Sequence, residues 1–269
     1  MKKIGVKKKN WWIDLATNDL SDLTGFILRE FDYKETSKIL EVFTKEEGRI
    51  SVIVKGAFKK KTKSTTISQR FAKVNLNLYK SGKEFYGAKE ISLVKAYSKS
   101  NKNFDLILYK SAICDLLLRT IDHSQADLVY KLLDNTFQAF EEANENQINI
   151  FLAFLLKYIS FSGFKPNLST CGLCGKKIKD ADIYFSQSQS SLICTDDKYD
   201  IYDIIFLSKE EFIYLKKLLY TASSDLYKIN KPTNYNKIAI IIIDYILDKL
   251  EISRFPSIDW VYKNSSERN

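Results

Sequence analysis

Three cysteines and an aspartate are spaced as ligands of a metal ion. Cys171 and Cys174 form a C-x2-C pair, and Cys194 and Asp197 form a C-x2-D pair after 19 intervening residues. A structural zinc site takes four donors in tetrahedral geometry, often from two such turns, and Gly172 and Gly175 suit a tight turn at the first pair. The pattern predicts one zinc ion, with Asp197 in the fourth position and Asp196 as its adjacent competitor. A carboxylate is a less typical structural ligand than a fourth cysteine.

Two other interpretations of the cysteine pattern stay open: a ribbon that has lost its metal, and a redox-active C-x2-C pair. The redox interpretation is disfavoured because no thioredoxin-like βαβ pattern surrounds the pair and a third cysteine is left over. Catalytic zinc is disfavoured because the chain has no H-x-E or H-E-x-x-H element. Cys114 and the single histidine, His123, fall in a helical stretch and are poor candidate ligands.

A lysine-rich segment offers a second kind of chemistry. Between residues 54 and 66 a phenylalanine is interleaved among five lysines, and the candidate residues are Lys55, Phe58, Lys59, Lys60, Lys61 and Lys63. Lysine heads suit phosphates, and an aromatic ring can stack on an unpaired base. Further candidates in the same region are Arg29, Arg49 and Arg70. The segment therefore predicts a nucleic-acid surface, and a merely solvated loop is the alternative.

The charge of the chain is unevenly distributed. Its formal net charge is +9, and residues 1–97 hold 21 basic and 11 acidic side chains, whereas residues 98–269 hold 21 and 22. The basic third favours a polyanionic partner, with nucleic acid first. The longest aliphatic run, 238–243, ends at Asp244, and no signal peptide is evident, so we expect a cytoplasmic protein without a membrane partner. No nucleotide-binding or nucleophile motif points to an enzyme or to a small-molecule substrate.

The elements that must position these residues fall into an α+β multidomain pattern. Short strands are predicted at 24–31, 37–44, 49–54, 71–79 and 84–88, and their turn-separated spacing indicates a small closed β-barrel of the OB type. Helical stripes follow, with an apolar helix near 148–159 predicted at the centre. Later helices are expected through about residue 220, after a motif at Ser208 that resembles a capping box without its exact spacing, and at 236–250.

These patterns divide the chain into five parts. They are an N-terminal extension (1–22), an OB-type nucleic-acid-binding domain (23–97), a first helical part (98–165), a zinc-ribbon-like insertion (166–202), and a second helical part with the C-terminal tail (203–269). The role of Trp11 and Trp12 in the extension is not indicated by any pattern.

The segment LTGFILREFDYKETSKIL (23–40) resembles the opening of the bacterial RecO family of recombination mediators. Residues 43–48, the VKGA strand end (54–57) with its lysines, and LYK (78–80) resemble the family as well, as does the order of barrel, helical body and cysteine knuckle. The resemblance implies that Lys55, Lys59, Lys60, Lys61 and Lys63 match the family's basic segment. It also implies that Cys171, Cys174 and Cys194 match three zinc positions, whereas Asp197 and the extension depart from the family's pattern.

The resemblance further implies a non-enzymatic protein that binds single- and double-stranded DNA and anneals complementary strands. Expected partners are RecR, the C-terminal tail of single-strand-binding protein, and indirectly the RecA recombinase, in recombinational repair at the nucleoid. The alternatives are a protein-interaction adaptor and an RNA-binding OB-fold protein, and a zinc-dependent deaminase or nuclease ranks last because no general base is evident.

Overall fold

The structure is a computed structural model that describes residues 20–57, 69–81, 84–99, 103–121, 123–179 and 183–267. These residues divide into two compact units. The first contains the described residues of 20–42 and 50–94. The second contains Phe43–Arg49 and the described residues from 95 onward.

Five strands form a closed barrel, as the sequence predicts: β1 (Leu20–Tyr33), β2 (Ser37–Thr44), β3 (Gly48–Val54), β4 (Lys73–Ser81) and β5 (Phe85–Lys95). Their order around the barrel is β1-β2-β3-β5-β4. β1 pairs with β4 in the antiparallel sense, and β3 pairs with β5 in the parallel sense, with Val52 opposite Tyr86. Closure leaves no open sheet edge, so a small barrel of this kind can stand as a folded module.

Alternation along β4 shows why these residues form a barrel wall. Val74, Leu76 and Leu78 are buried in the barrel core, whereas the residues between them are partly exposed. Successive side chains of a strand point to opposite faces, so one face fills the interior and the other meets solvent. Each such aliphatic side chain contributes about 1.5–3 kcal/mol on full burial.

β1 begins four residues before the predicted strand. Ser21 and Asp22 look like loop residues in the sequence, but Leu20 pairs with Leu78 across a register shift. The Asp22 N–H donates to Asn77 Oδ1 (2.9 Å), which ties the polar stretch to β4. Pairing with a distant strand has therefore overridden local propensity, as it commonly does in sheets.

The second unit contains six α-helices among its described residues: α1 (Phe104–Thr120), α2 (Ala126–Glu142), α3 (Gln147–Phe161), α4 (Lys209–Tyr220), α5 (Tyr235–Lys249) and α6 (Pro256–Glu267). As predicted, α3 is central, with apolar side chains buried on nearly every side. Buried Asn149 braces it, because its amide donates to the carbonyls of Leu226 and Ile229 and accepts from the Tyr214 hydroxyl. Within the described ranges, no helix is long and apolar enough to cross a membrane.

The start of α4 corrects one expectation from the sequence. Ser208 and Glu211 form a true capping box: the Ser208 hydroxyl accepts from the Glu211 N–H, and the Glu211 carboxylate accepts from the Ser208 N–H. The spacing S-x-x-E is that of the capping-box motif, so the expectation that Ser208 lacks the exact spacing was wrong. The bonds satisfy two backbone groups that the helix itself leaves unpaired.

A four-stranded sheet carries the cysteines: β6 (Asn167–Cys171), β7 (Ile183–Ser186), β8 (Ser191–Ile193) and β9 (Ile204–Leu207), in the order β6-β8-β7-β9. The sequence predicted helices from residue 203 onward, and β9 corrects that expectation. Ile183 pairs with Leu207 and Tyr184 with Phe206, so pairing with β7 fixes as a strand a short apolar run that could also have been part of a helix.

Candidate metal centre and nucleic-acid interface

Two tight turns carry the four predicted metal ligands. The first starts at Cys171, whose N–H donates to the Lys176 carbonyl (2.9 Å), while the Gly175 N–H donates back to the Cys171 carbonyl (3.1 Å). Gly175 has a φ of +72°, a left-handed conformation that glycine adopts without strain. In the second turn, the Asp197 N–H donates to the Cys194 carbonyl (3.2 Å).

Gly172 has a different role from the turn freedom that the sequence suggested. Its N–H donates to the Leu192 carbonyl (2.8 Å), which lays the first turn against β8. A Cβ at this position would lie 2.8 Å from the Cβ of Ser191. Glycine is therefore required here by close approach of the two chain segments.

The four ligand atoms converge. One Sγ from each of the three cysteines and a carboxylate oxygen of Asp197 all lie within 4.8 Å of one another. Cys174 Sγ is 3.8 Å from Cys194 Sγ, which equals the edge of about 3.8 Å expected for a tetrahedron with Zn–S bonds of about 2.3 Å. Asp197 Oδ2 lies 3.1 Å from Cys171 Sγ and 3.0 Å from Cys194 Sγ, somewhat closer than the roughly 3.5 Å that zinc would impose. The group could hold a metal ion.

Hydrogen bonds within the group set its protonation. The thiols of Cys174, Cys194 and Cys171 donate to Asp197 and lower the pKa of its carboxyl to about 2. Burial, followed by the bond to Asp197, raises the pKa of Cys194 to about 12, and the same carboxylate raises the pKa of Cys174. For Cys171 burial opposes ionisation, but neighbouring backbone N–H groups outweigh it and lower its pKa. A bound cation would displace the thiol protons.

The structure decides between the two candidate carboxylates. Asp196 accepts a bond from Lys176 Nζ (3.0 Å) at an exposed position, whereas Asp197 turns toward the three sulfurs. Cys114 is fully buried in α1 and does not belong to the group.

The structure describes only some of the residues that the sequence predicts to bind nucleic acid. Phe58, Lys59, Lys60, Lys61 and Lys63 lie outside the described residues.

Lys55 is exposed immediately after β3, and Gly56 follows it with a φ of +71°. The chain therefore leaves the strand in a turn that presents the Lys55 side chain to solvent.

The three candidate arginines have different surroundings. Arg70 Nε donates to the Leu28 carbonyl (2.9 Å), and Arg29 stands over the ring of Phe31, so both lie along β1. Arg49 belongs to the second unit, where its Nη1 donates to the Leu118 carbonyl (2.6 Å) while the side chain stays exposed. A role for each in binding nucleic acid stays a prediction.

An exposed aromatic residue on β1 was not identified from the sequence. Phe31 is 45% exposed at the end of β1, beside Arg29. The signal available in the sequence was the alternation Arg29, Phe31, Tyr33, which places three large side chains on one side of a strand.

Family comparisons cover both units. Residues 20–97 match the family model described as "Recombination protein O N terminal", and residues 101–257 match "Recombination protein O C terminal".

Among similar proteins is a DNA repair protein RecO from Caldanaerobacter subterraneus subsp. tengcongensis, 27% identical over 241 residues, which covers 89% of this chain and 96% of the relative. Another, from Alkaliphilus metalliredigens, is 26% identical over 246 residues and covers 87% and 96%. A third, from Clostridium acetobutylicum, is 29% identical over 173 residues and covers 64% and 69%.

Proposed function

The chain belongs to the RecO family of DNA repair proteins, and from that premise we propose that it is a non-enzymatic recombination mediator. It binds single- and double-stranded DNA and anneals complementary strands. With RecR it assists the loading of RecA onto DNA coated by single-strand-binding protein, whose C-terminal tail it contacts. Chromosomal DNA as the ligand implies a cytoplasmic location at the nucleoid.

One observation carries the proposal: the closed barrel lies in the part of the chain that holds the basic excess. Residues 20–97, which match the N-terminal family model, contain 16 basic and 9 acidic side chains. Small barrels of this type bind oligonucleotides, and neutralisation of phosphates releases counterions whatever the base sequence. The affinity should therefore be largely sequence-independent and should fall steeply with salt.

Annealing follows from the same electrostatics. Two complementary strands repel each other, and a basic surface that holds both reduces that repulsion and raises their local concentration. No covalent bond is made or broken in this process, so no catalytic residue is needed. The nearly neutral remainder of the chain suits contacts with partner proteins better than contacts with DNA.

We further propose that the cysteine group binds one structural zinc ion through Cys171, Cys174, Cys194 and Asp197. Thiolates are favoured zinc ligands, and zinc would tie the two turns together. Elemental analysis of the purified protein should find zinc at one atom per chain. A metal content far below that ratio would refute this assignment.

Salt titrations test the DNA surface. Replacing Lys59, Lys60, Lys61 and Lys63 by Ala should flatten the dependence of log affinity on log salt by up to about 3 for single strands, because about 0.7 counterions are released per neutralised phosphate. A matched control replaces four exposed lysines of the second unit by Ala: Lys209, Lys217, Lys231 and Lys263. An unchanged slope in the first variant would remove the lysine segment from the DNA surface.

Strand annealing tests the function itself. Complementary strands coated with single-strand-binding protein should pair faster when this protein is added. No acceleration at any stoichiometry would refute the mediator role. If pull-downs of RecR and single-strand-binding protein succeed while annealing fails, an adaptor is indicated, and preference for RNA in competition would indicate an RNA-binding protein.

A further inference from the structure

Two cation–aromatic pairs lie in succession near the end of β1. The guanidinium carbon of Arg29 is 5.8 Å from the ring centre of Phe31, and Lys34 Nζ is 5.1 Å from the ring centre of Tyr33. Phe31 is 45% exposed, a large uncovered area for an aromatic ring. Each pair sets a positive charge beside a flat apolar surface.

A third pair is fixed beside them by backbone bonds. The Phe71 N–H donates to the Ile27 carbonyl (2.8 Å), and Arg70 Nε donates to the Leu28 carbonyl (2.9 Å). The guanidinium of Arg70 stands 5.2 Å from the ring centre of Phe71. Phe71 has a φ of +73°, a strained conformation for a bulky residue that these contacts hold in place.

The character of β1 changes along its length. Leu23 and Ile27 fill the barrel core. The following alternate positions of the strand are occupied by Arg29, Phe31 and Tyr33. Core packing does not explain this change, because the exposed ring of Phe31 fills no interior volume.

The acidic residues within β1 are placed apart from the side chains of Arg29 and Phe31. Glu30 and Asp32 occupy the intervening positions, whose side chains alternate away from those of Arg29 and Phe31. The Glu30 carboxylate is paired with Lys38 Nζ at 2.6 Å.

We propose that these residues form a stacking ridge that binds the unpaired bases of single-stranded nucleic acid; its members are Arg29, Phe31, Tyr33, Lys34, Arg70 and Phe71. Phe31 and Tyr33 stack on successive bases, and the flanking cations contact phosphates. Every base has a π-face, so this recognition tolerates any sequence. Bases in a duplex are stacked on each other and cannot reach the rings, so the ridge distinguishes single strands from duplex.

The inference rests on the proposed function, since it assigns bases to one part of a DNA-binding barrel. It adds a contribution to affinity that depends on bases rather than on charge. The two contributions can be measured separately, because an oligonucleotide made of abasic sites keeps the phosphates and lacks the bases.

The experiment measures binding of full-length protein to fluorescein-labelled oligothymidine and to an abasic oligonucleotide of equal length. Phe31→Leu keeps an apolar side chain but removes the ring, and should weaken oligothymidine binding about fivefold or more while abasic binding and the salt slope stay unchanged. Phe31→Trp should retain affinity, and bound thymine should quench its fluorescence. Phe164→Leu is the matched control, since Phe164 is 42% exposed in the second unit.

The outcomes separate the two claims. If the wild-type protein binds neither oligonucleotide, the proposed function and the ridge both fail. If it binds both equally and Phe31→Leu has no effect, DNA binding stands and the ridge is refuted. Equal weakening of both oligonucleotides by Phe31→Leu also refutes stacking. Circular dichroism of each variant establishes that it is folded before binding is measured.

Discussion

Lys110 and Glu141 form a buried ion pair whose two halves should respond unequally to substitution. Lys110 has no exposed side-chain surface; its Nζ is 3.2 Å from Glu141 Oε1 and donates to the Tyr97 carbonyl at 3.0 Å. Glu141 is 20% exposed. We expect Glu141→Gln to destabilise the second unit more than Lys110→Met does, because it leaves a buried cation without its counter-charge.

The magnitude follows from the geometry. Two unit charges 3.2 Å apart attract by about 5 kcal/mol at an effective dielectric constant of about 20. Screening by water at the partly exposed carboxylate reduces that figure, and the Gln oxygen can still accept a bond, so Glu141→Gln should cost about 3 kcal/mol. Lys110→Met leaves the Tyr97 carbonyl without this donor but relieves the burial of a charge, so it should cost about 1 kcal/mol.

The pair also predicts a pH dependence. Burial lowers the pKa of Lys110 below its ordinary value of 10.5, although Glu141 opposes the shift. The folded state then binds this proton less tightly than the unfolded state, so stability rises with pH between the lowered pKa and about 10.5. The Lys110→Met variant should lack this rise.

Urea unfolding followed by far-UV circular dichroism measures these differences, because all the described α-helices lie in the second unit. In the Lys110→Met background, Glu141→Gln should have almost no effect, since the Gln oxygen can still accept from the Lys99 N–H. The reasoning is refuted if Glu141→Gln is the milder single change, or if the two changes add independently.

Three further predictions concern single side chains. Asp197→Cys should tighten zinc binding by about an order of magnitude in competition with a chromophoric chelator, because a fourth thiolate is a softer donor; unchanged affinity would exclude Asp197 as a ligand. Ser208→Ala should lower the free energy of unfolding by about 1 kcal/mol through loss of the box with Glu211, and a neutral effect in urea titration would contradict this. Tyr214→Phe should cost about 1–3 kcal/mol in the same titration, because the buried oxygen of Asn149 loses its 2.6 Å donor; Tyr220→Phe, at an exposed residue, is the control.

Much of the fold is predictable from the sequence because its signals are local. Alternating Val74, Leu76 and Leu78 predict a strand with one buried face, and the apolar residues of 148–159 predict a central helix. Both predictions are confirmed. The capping box at Ser208 and Glu211 is also a local signal. The sequence contains it with the S-x-x-E spacing of the motif, so the expectation that the spacing was inexact was wrong.

Elements that depend on distant partners were not predictable in this way. The short apolar run of β9 fits a strand or a buried helix segment by its own sequence, and its pairing with β7 makes it a strand. β1 extends back to Leu20 because Leu20 pairs with Leu78 of β4 and the Asp22 N–H and carboxylate bond to Asn77 and Asn75 of the same strand. Secondary structure of this kind is set by long-range pairing, which a window of sequence does not contain.

For the candidate sites the division is similar. The amino-acid sequence by itself determined which residues could ligate a metal, and that the basic excess falls in the first third of the chain. Only the tertiary structure chose Asp197 over Asp196, since the fold of the second turn aims one carboxylate at the sulfurs and the other at Lys176. It also brought Arg70 against β1, because the Arg70 side chain donates to the carbonyl of Leu28, 42 positions earlier in the sequence. Residue type fixes which chemistry is available, whereas the direction of each side chain depends on backbone contacts between segments far apart in the chain.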